Sequence, residues 1–234
     1  MLKILKYSFY DLMRSRWSYV YFLFYLLLGF VLLFLNNDVS KAVITLMNVI
    51  IVLVPLIGTI FGVMYYYNSK EFTELLLAQP IKRSSIFLGQ YLGVALSLTL
   101  SLVLGLGIPF VLYGLFRSDE IFDFTLLLIT GSFLTSIFTA LAFNISLSNE
   151  NKIKGFGYAV LIWLFLAVIY DGLFLISLIV FEEYPLDSFS LVATMFNPID
   201  LSRTLILLKL DISALLGYTG AVFKQFFGTN FGLI

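Results

Sequence analysis

Long apolar runs broken by short polar clusters set the pattern of this chain. Residues 17–35, 43–67, 86–116, 124–147 and 155–180 are dominated by Leu, Ile, Val, Phe, Gly and Ala. A hydrocarbon core of about 30 Å takes roughly 20 apolar residues as a helix, and each run is long enough to cross it. The pattern predicts an all-α polytopic membrane protein with five transmembrane helices. The first run is not a cleaved signal: Arg14, Arg16 and Trp17 border it, and no small-residue cleavage site follows. The closing FGTNFGLI begins another apolar run and reads as the start of a sixth helix, with a chain truncated relative to its natural product or a poorly ordered end as the two expectations.

Composition agrees with this reading. Hydrophobic residues make up 61% and charged ones 12%, with a mean hydropathy of +1.02, outside the ordinary globular range. Net charge is zero, so the placement of bases matters more than their number. With a cytoplasmic N-terminus, the inside segments hold Lys3, Lys6, Arg14, Arg16, Lys70, Lys82, Arg83, Lys152 and Lys154. The outside segments hold Lys41, Arg117, Arg203, Lys209 and Lys224 over a much greater length. The positive-inside rule favours that orientation. Cys and His are absent, which excludes structural disulfides, histidine-ligated haem, Cys/His zinc or copper sites and Cys or His nucleophiles. Met1, Met13, Met47, Met64 and Met195 are dispersed and form no copper-binding cluster. No metal site, catalytic residue or nucleic-acid partner is expected.

Between and within the spans, spacing suggests roles. Residues 1–16 read as an amphipathic elbow helix on the cytoplasmic membrane surface, with Leu2, Ile4, Leu5, Phe9, Leu12 and Met13 on its apolar side. Pro55 should bend the second span, and Tyr65, Tyr66 and Tyr67 suit the headgroup level. In the third span, Gly89, Gly93, Ser97, Ser101 and Gly105 recur at every fourth residue. That is a small-residue ridge about 24 Å long, against which another helix should pack closely. Gly131, Ser132, Thr135, Ser136, Thr139 and Ala140 give the fourth span an answering small and hydroxyl face. Static packing and a sliding subunit interface both fit such faces.

Asp171 lies within the fifth span, toward the outer leaflet, where an ionisable side chain is a functional candidate and a helix-packing hydrogen bond is the plainer alternative. Residues 181–228 read as an outer-face segment of re-entrant or interfacial helices. Asn197 and Pro198 give an N-cap and first-turn signal for a helix from Ile199 to Leu210, and Asp211 caps a second that Gly217 ends. An outer partner or a structural cap would each account for that segment.

The stretch at residues 68–85 holds acids, bases and Pro80 between two spans. As a helix it carries Glu71, Glu74 and Ala78 on one strip and Phe72, Leu75, Leu76 and Gln79 on the next, stopping before Pro80. A re-entry hairpin anchored by Lys82 and Arg83 is one reading. The order of elbow YSFYDLMRSRW, first span, and then E-x-x-E-L-L-L-A-Q-P-I-K-R-S-x-I-x-L-G-Q after the second span supports another. It resembles the permease subunits of type-2 ABC transporters, in which this turn is a coupling helix seated in the ATP-binding subunit. Glu71, Glu74, Leu75, Leu76, Gln79, Pro80, Arg83 and Ser84 match that pattern in type and spacing.

The stretch N-P-I-D-L-S-R-T-L-I-L-L-K-L-D-I-S-A-L-L-G-Y-T-G-A-V-F, with Asn197, Pro198, Asp200, Arg203, Asp211, Gly217 and Tyr218, is similar to the outer segment of NosY-type permeases. Those permeases serve nitrous-oxide reductase maturation. The resemblance implies a single permease domain over residues 1–234 in a bacterial inner membrane, pairing with a second copy of itself. It also implies cytoplasmic ATP-binding-cassette subunits, a periplasmic accessory protein and a link to copper-site assembly. No phosphate-binding G-x-x-x-x-G-K-[ST] loop occurs, so ATP and Mg would be bound by the partner ATPase and this subunit needs no cofactor. A generic exporter of lipid, drug or polysaccharide and a non-transporting membrane anchor are the alternatives.

Overall fold

A computed structural model describes residues 1–36, 39–117, 120–181 and 187–209. The expected sixth helix and Asp211, Gly217 and Tyr218 lie outside the described residues. The regular elements are all helical, with no strand among the described residues. The order is α1 (Leu2–Arg14), α2 (Arg16–Asn36), α3 (Val39–Asn68), α4 (Lys70–Leu77), α5 (Arg83–Leu112), α6 (Ile121–Leu147), α7 (Lys152–Leu164), α8 (Tyr170–Val180), α9 (Asp187–Phe196) and α10 (Pro198–Lys209). Five helical stretches are long and apolar enough to cross a membrane: Arg16–Asn36, Lys41–Asn68, Arg83–Leu112, Ile121–Leu147 and Lys152–Val180. The last is continuous from α7 into α8 through a π turn at Phe165–Ile169. Two compact units emerge, Met1–Trp163 and Leu164–Ile234.

In the first unit, α5 is the central post, buried on one side along almost its full length. Its small-residue ridge receives α1 and α2. A methyl added at Gly89 would meet the Ile4 side chain at 3.1 Å, and one at Gly93 would meet Ser8 Cβ at 2.6 Å and the Leu5 carbonyl at 2.9 Å. Farther along, a methyl at Gly105 would press on Tyr25 Cβ at 2.8 Å. The elbow helix therefore buries Ile4, Ser8 and Leu12 and leaves Leu2 79% exposed. This differs from an apolar side built of all its large residues, because two glycines open a groove just where Ile4 and Ser8 enter.

The small face of α6 is divided between two helices: a methyl at Gly131 would meet Leu102 of α5 at 3.0 Å, and the rest of the face turns to α3. Gly58 of α3 lies over the Thr135 carbonyl and Thr139, and a methyl at Gly62 would stand 2.7 Å from Ala142 Cβ. Pro55 is accommodated inside α3, where the neighbouring Val52 carbonyl accepts the Trp163 indole N–H at 3.3 Å. Val63, Ala142 and Ala159 close a small apolar core at the end of these helices, with Tyr67 packed against it.

Candidate functional site

The turn between α3 and α5 is built on α4, an eight-residue helix. Ser69 starts it: its carbonyl accepts the Thr73 N–H at 2.9 Å and the Thr73 hydroxyl at 2.8 Å. Ala78 and Gln79 complete the last turn through the Glu74 and Leu76 carbonyls. Pro80 lacks an N–H to continue it, and the chain runs extended through Lys82 into α5.

One face of α4 is fastened to the first unit. Gln90 Nε2 of α5 donates to the Thr73 hydroxyl at 2.8 Å, both side chains being buried. Phe72 stacks on Tyr7 of α1 with ring centroids 4.5 Å apart. The opposite face is free: Glu71, Glu74 and Leu75 are exposed, as are Gln79, Pro80, Arg83 and Ser84 beyond it, while Leu76 is half-buried. Leu75 is 68% exposed, a high value for a leucine on a helix whose other side is docked. The strips expected from spacing are thus divided differently, with Phe72 turned to the body and Leu75 outward. Tyr7 and Gln90 stand in the quoted motifs without an assigned contact, and Thr73 falls at an unspecified position. Thr73 lies between the two marked strips, and nothing local points it to a glutamine 17 positions away.

A second turn is tied to the end of α3. The Tyr67 hydroxyl donates to the Asn149 carbonyl at 2.7 Å, and Lys152 Nζ donates to Asn68 Oδ1 at 3.1 Å. A methyl at Gly155 would collide with the Tyr67 hydroxyl, so that glycine makes room for the tie. A generic headgroup role for the tyrosine triplet does not reveal this specific partner.

In the second unit, the residues marked in the outer segment converge with Asp171. The expected cap is formed: Asn197 Oδ1 accepts the Ile199 N–H at 3.1 Å as α10 begins. The same amide donates through Nδ2 to Asp200 Oδ2 at 2.7 Å and to the Leu166 carbonyl at 2.8 Å. Leu166 belongs to the π turn, where the regular ladder of backbone hydrogen bonds is displaced. Arg203 Nη1 donates to Asp171 Oδ2 at 3.0 Å and lies 3.7 Å from Asp200 Oδ1. Tyr170 adds a hydrogen bond to the Ala193 carbonyl of α9 at 2.6 Å. Asp171 therefore has an arginine partner and a second carboxylate nearby, which its isolation in the sequence does not show. Burial, and then the charge of Asp171, push Asp200 up to about 6, against the opposing pull of Arg203 and the Asn197 hydrogen bond. Helix α9 itself was not expected from the sequence.

The sequence that forms these spans is similar to known proteins. A family model described as ABC-2 family transporter protein matches residues 4–214. The chain belongs to the ABC-2 transporter family. It is also 28% identical over 151 residues to a probable ABC transporter permease protein NosY from Stutzerimonas stutzeri, covering 62% of this chain. The match takes in 51% of that protein, so this chain spans about half the length of the curated relative it matches. Family membership makes this a multi-pass membrane subunit of an ABC transporter.

Proposed function

We propose that this permease converts ATP hydrolysis by partner subunits into transport or conformational work, with α4 as the coupling helix. The observation that carries the proposal is the two-sided character of α4: Phe72 and Thr73 fasten it to α1 and α5, while Glu71, Glu74 and Leu75 face outward. A lever needs both a firm attachment and a free face. Movement of α4 would pass directly into α5 through Gln90, one residue beyond Gly89 of the ridge. ATP and Mg would reside in the partner, in keeping with the absence of a phosphate-binding loop here.

The similarity to NosY supports a role in nitrous-oxide reductase maturation, acting as a pair of identical permeases in a bacterial inner membrane with a periplasmic accessory protein. The distribution of basic residues supports a cytoplasmic N-terminus and α4. Glu74→Ala combined with Leu75→Ala should abolish permease-dependent stimulation of ATPase activity in the assembled complex. Unchanged coupled activity in that double variant would overturn the assignment of α4.

A further inference from the structure

Two adjoining cavities lie beside α1, and both are assembled from residues of the first unit. One, of about 710 Å³, opens between α1, the start of α2, the end of α3 and α4. Its apolar wall is Leu12, Trp17, Ile60, Phe61 and Met64. The other, of about 590 Å³, runs along the basic side of α1 and is lined by Lys3 and Lys6. Tyr7, Asp11 and Arg14 line both, so the apolar cleft and the basic one adjoin along one face of α1.

Their level in the membrane follows from the helices that make them. The cleft sits where α2 begins at Arg16 and α3 ends at Asn68, which is the boundary between hydrocarbon and headgroups for both spans. Three bases against one acid leave the polar cavity positive, and Lys3, Lys6 and Arg14 have no ion-pair partner within 4.0 Å among the described residues. Lys6 instead lies over the Tyr10 ring at 6.0 Å.

We infer that this cleft is a binding site for one anionic phospholipid, its headgroup facing the basic row of Lys3, Lys6 and Arg14 and an acyl chain lying along Trp17, Phe61 and Met64. Apolar depth and positive charge side by side at the headgroup level match the two halves of such a molecule. A free anion would use only the basic half, and a neutral lipid only the apolar half. The occupant would wedge between α1 and α3 next to the Tyr7–Phe72 stack, and so would brace the attachment of α4. Lipid binding does not depend on the coupling role proposed above, because the lining of the cleft is argued from residues of this chain.

The chain has two tryptophans, and Trp17 lines the cleft. In a Trp163→Phe background, Trp17 fluorescence of the full chain in bilayers reports the lipid at this position. Brominated phosphatidylglycerol diluted in phosphatidylcholine should quench it at a roughly tenfold lower mole fraction than brominated phosphatidylcholine diluted in phosphatidylglycerol. The preference should disappear in Lys3→Gln/Lys6→Gln/Arg14→Gln, and Trp163 in a Trp17→Phe background should show none. Equal quenching by the two lipids, or a preference that survives loss of the three bases, would overturn the inference. Abolition of the preference by millimolar inorganic phosphate would assign the basic half to free anions and overturn it too. So would its loss on adding an ATP-binding partner, which would give the cleft to that protein.

Discussion

Helices meet around α5 because side chains are missing, whereas around α8 and α10 they meet because particular side chains are present. Gly89, Gly93 and Gly105 let α1 and α2 approach until a methyl has no room, so the gain is dispersion and close fit. In the second unit, Asn197, Asp200, Arg203 and Asp171 instead bond one another and a π-turn carbonyl. A glycine groove accepts any helix of suitable shape. A charge cluster accepts only a partner with the right groups in the right places, and each unfilled position is costly where water is scarce.

Filling the groove should have the largest effect. Gly93→Leu must displace Ser8 and the Leu5 backbone, and we expect a loss of about 3 kcal/mol, the upper end for overpacking, read by thermal unfolding in detergent. A wild-type midpoint would break the contrast. In the other region, Arg203→Met leaves Asp171 and Asp200 facing each other without their cation. Both members of the Arg203–Asp171 pair are about one-third exposed, so solvent reduces the cost to about 1–2 kcal/mol. Asp171→Asn in the same background should recover part of it.

A pH titration sharpens the same contrast with a smaller effect. Asp200 binds its proton more tightly in the folded protein, at about 6 against an ordinary 3.8, so stability should rise as pH falls from about 7 through 6 toward 4. Asp200→Asn should flatten the dependence over that window, whereas Gly93→Leu should leave it in place. Next comes the fastening of α4: a Thr73→Val, Gln90→Leu double-mutant cycle should return a coupling of about 1 kcal/mol. The smallest change is expected for Ser97→Ala on the ridge. The Ser97 hydroxyl is buried without a hydrogen-bond partner among the described residues, so its removal should shift stability by no more than about 0.5 kcal/mol in either direction.

The sequence alone determined the five spans, the end of α4 before Pro80, the four-residue spacing of the ridge and the Asn197 cap of α10. Each of these depends on residues within a few positions of one another, because hydrophobic period, backbone restriction and capping act locally. Tertiary structure alone decided which helix fills each small-residue face. Glycine spacing predicts a groove but carries no information about its occupant, so α1 and α2 could take the α5 ridge while α6 turned to Gly58 and Gly62. It also decided that Asp171 meets Arg203, 32 positions away, and that Thr73 meets Gln90. Those pairings follow from how rigid helices pack side by side, which brings distant residues into register by geometry rather than by sequence distance.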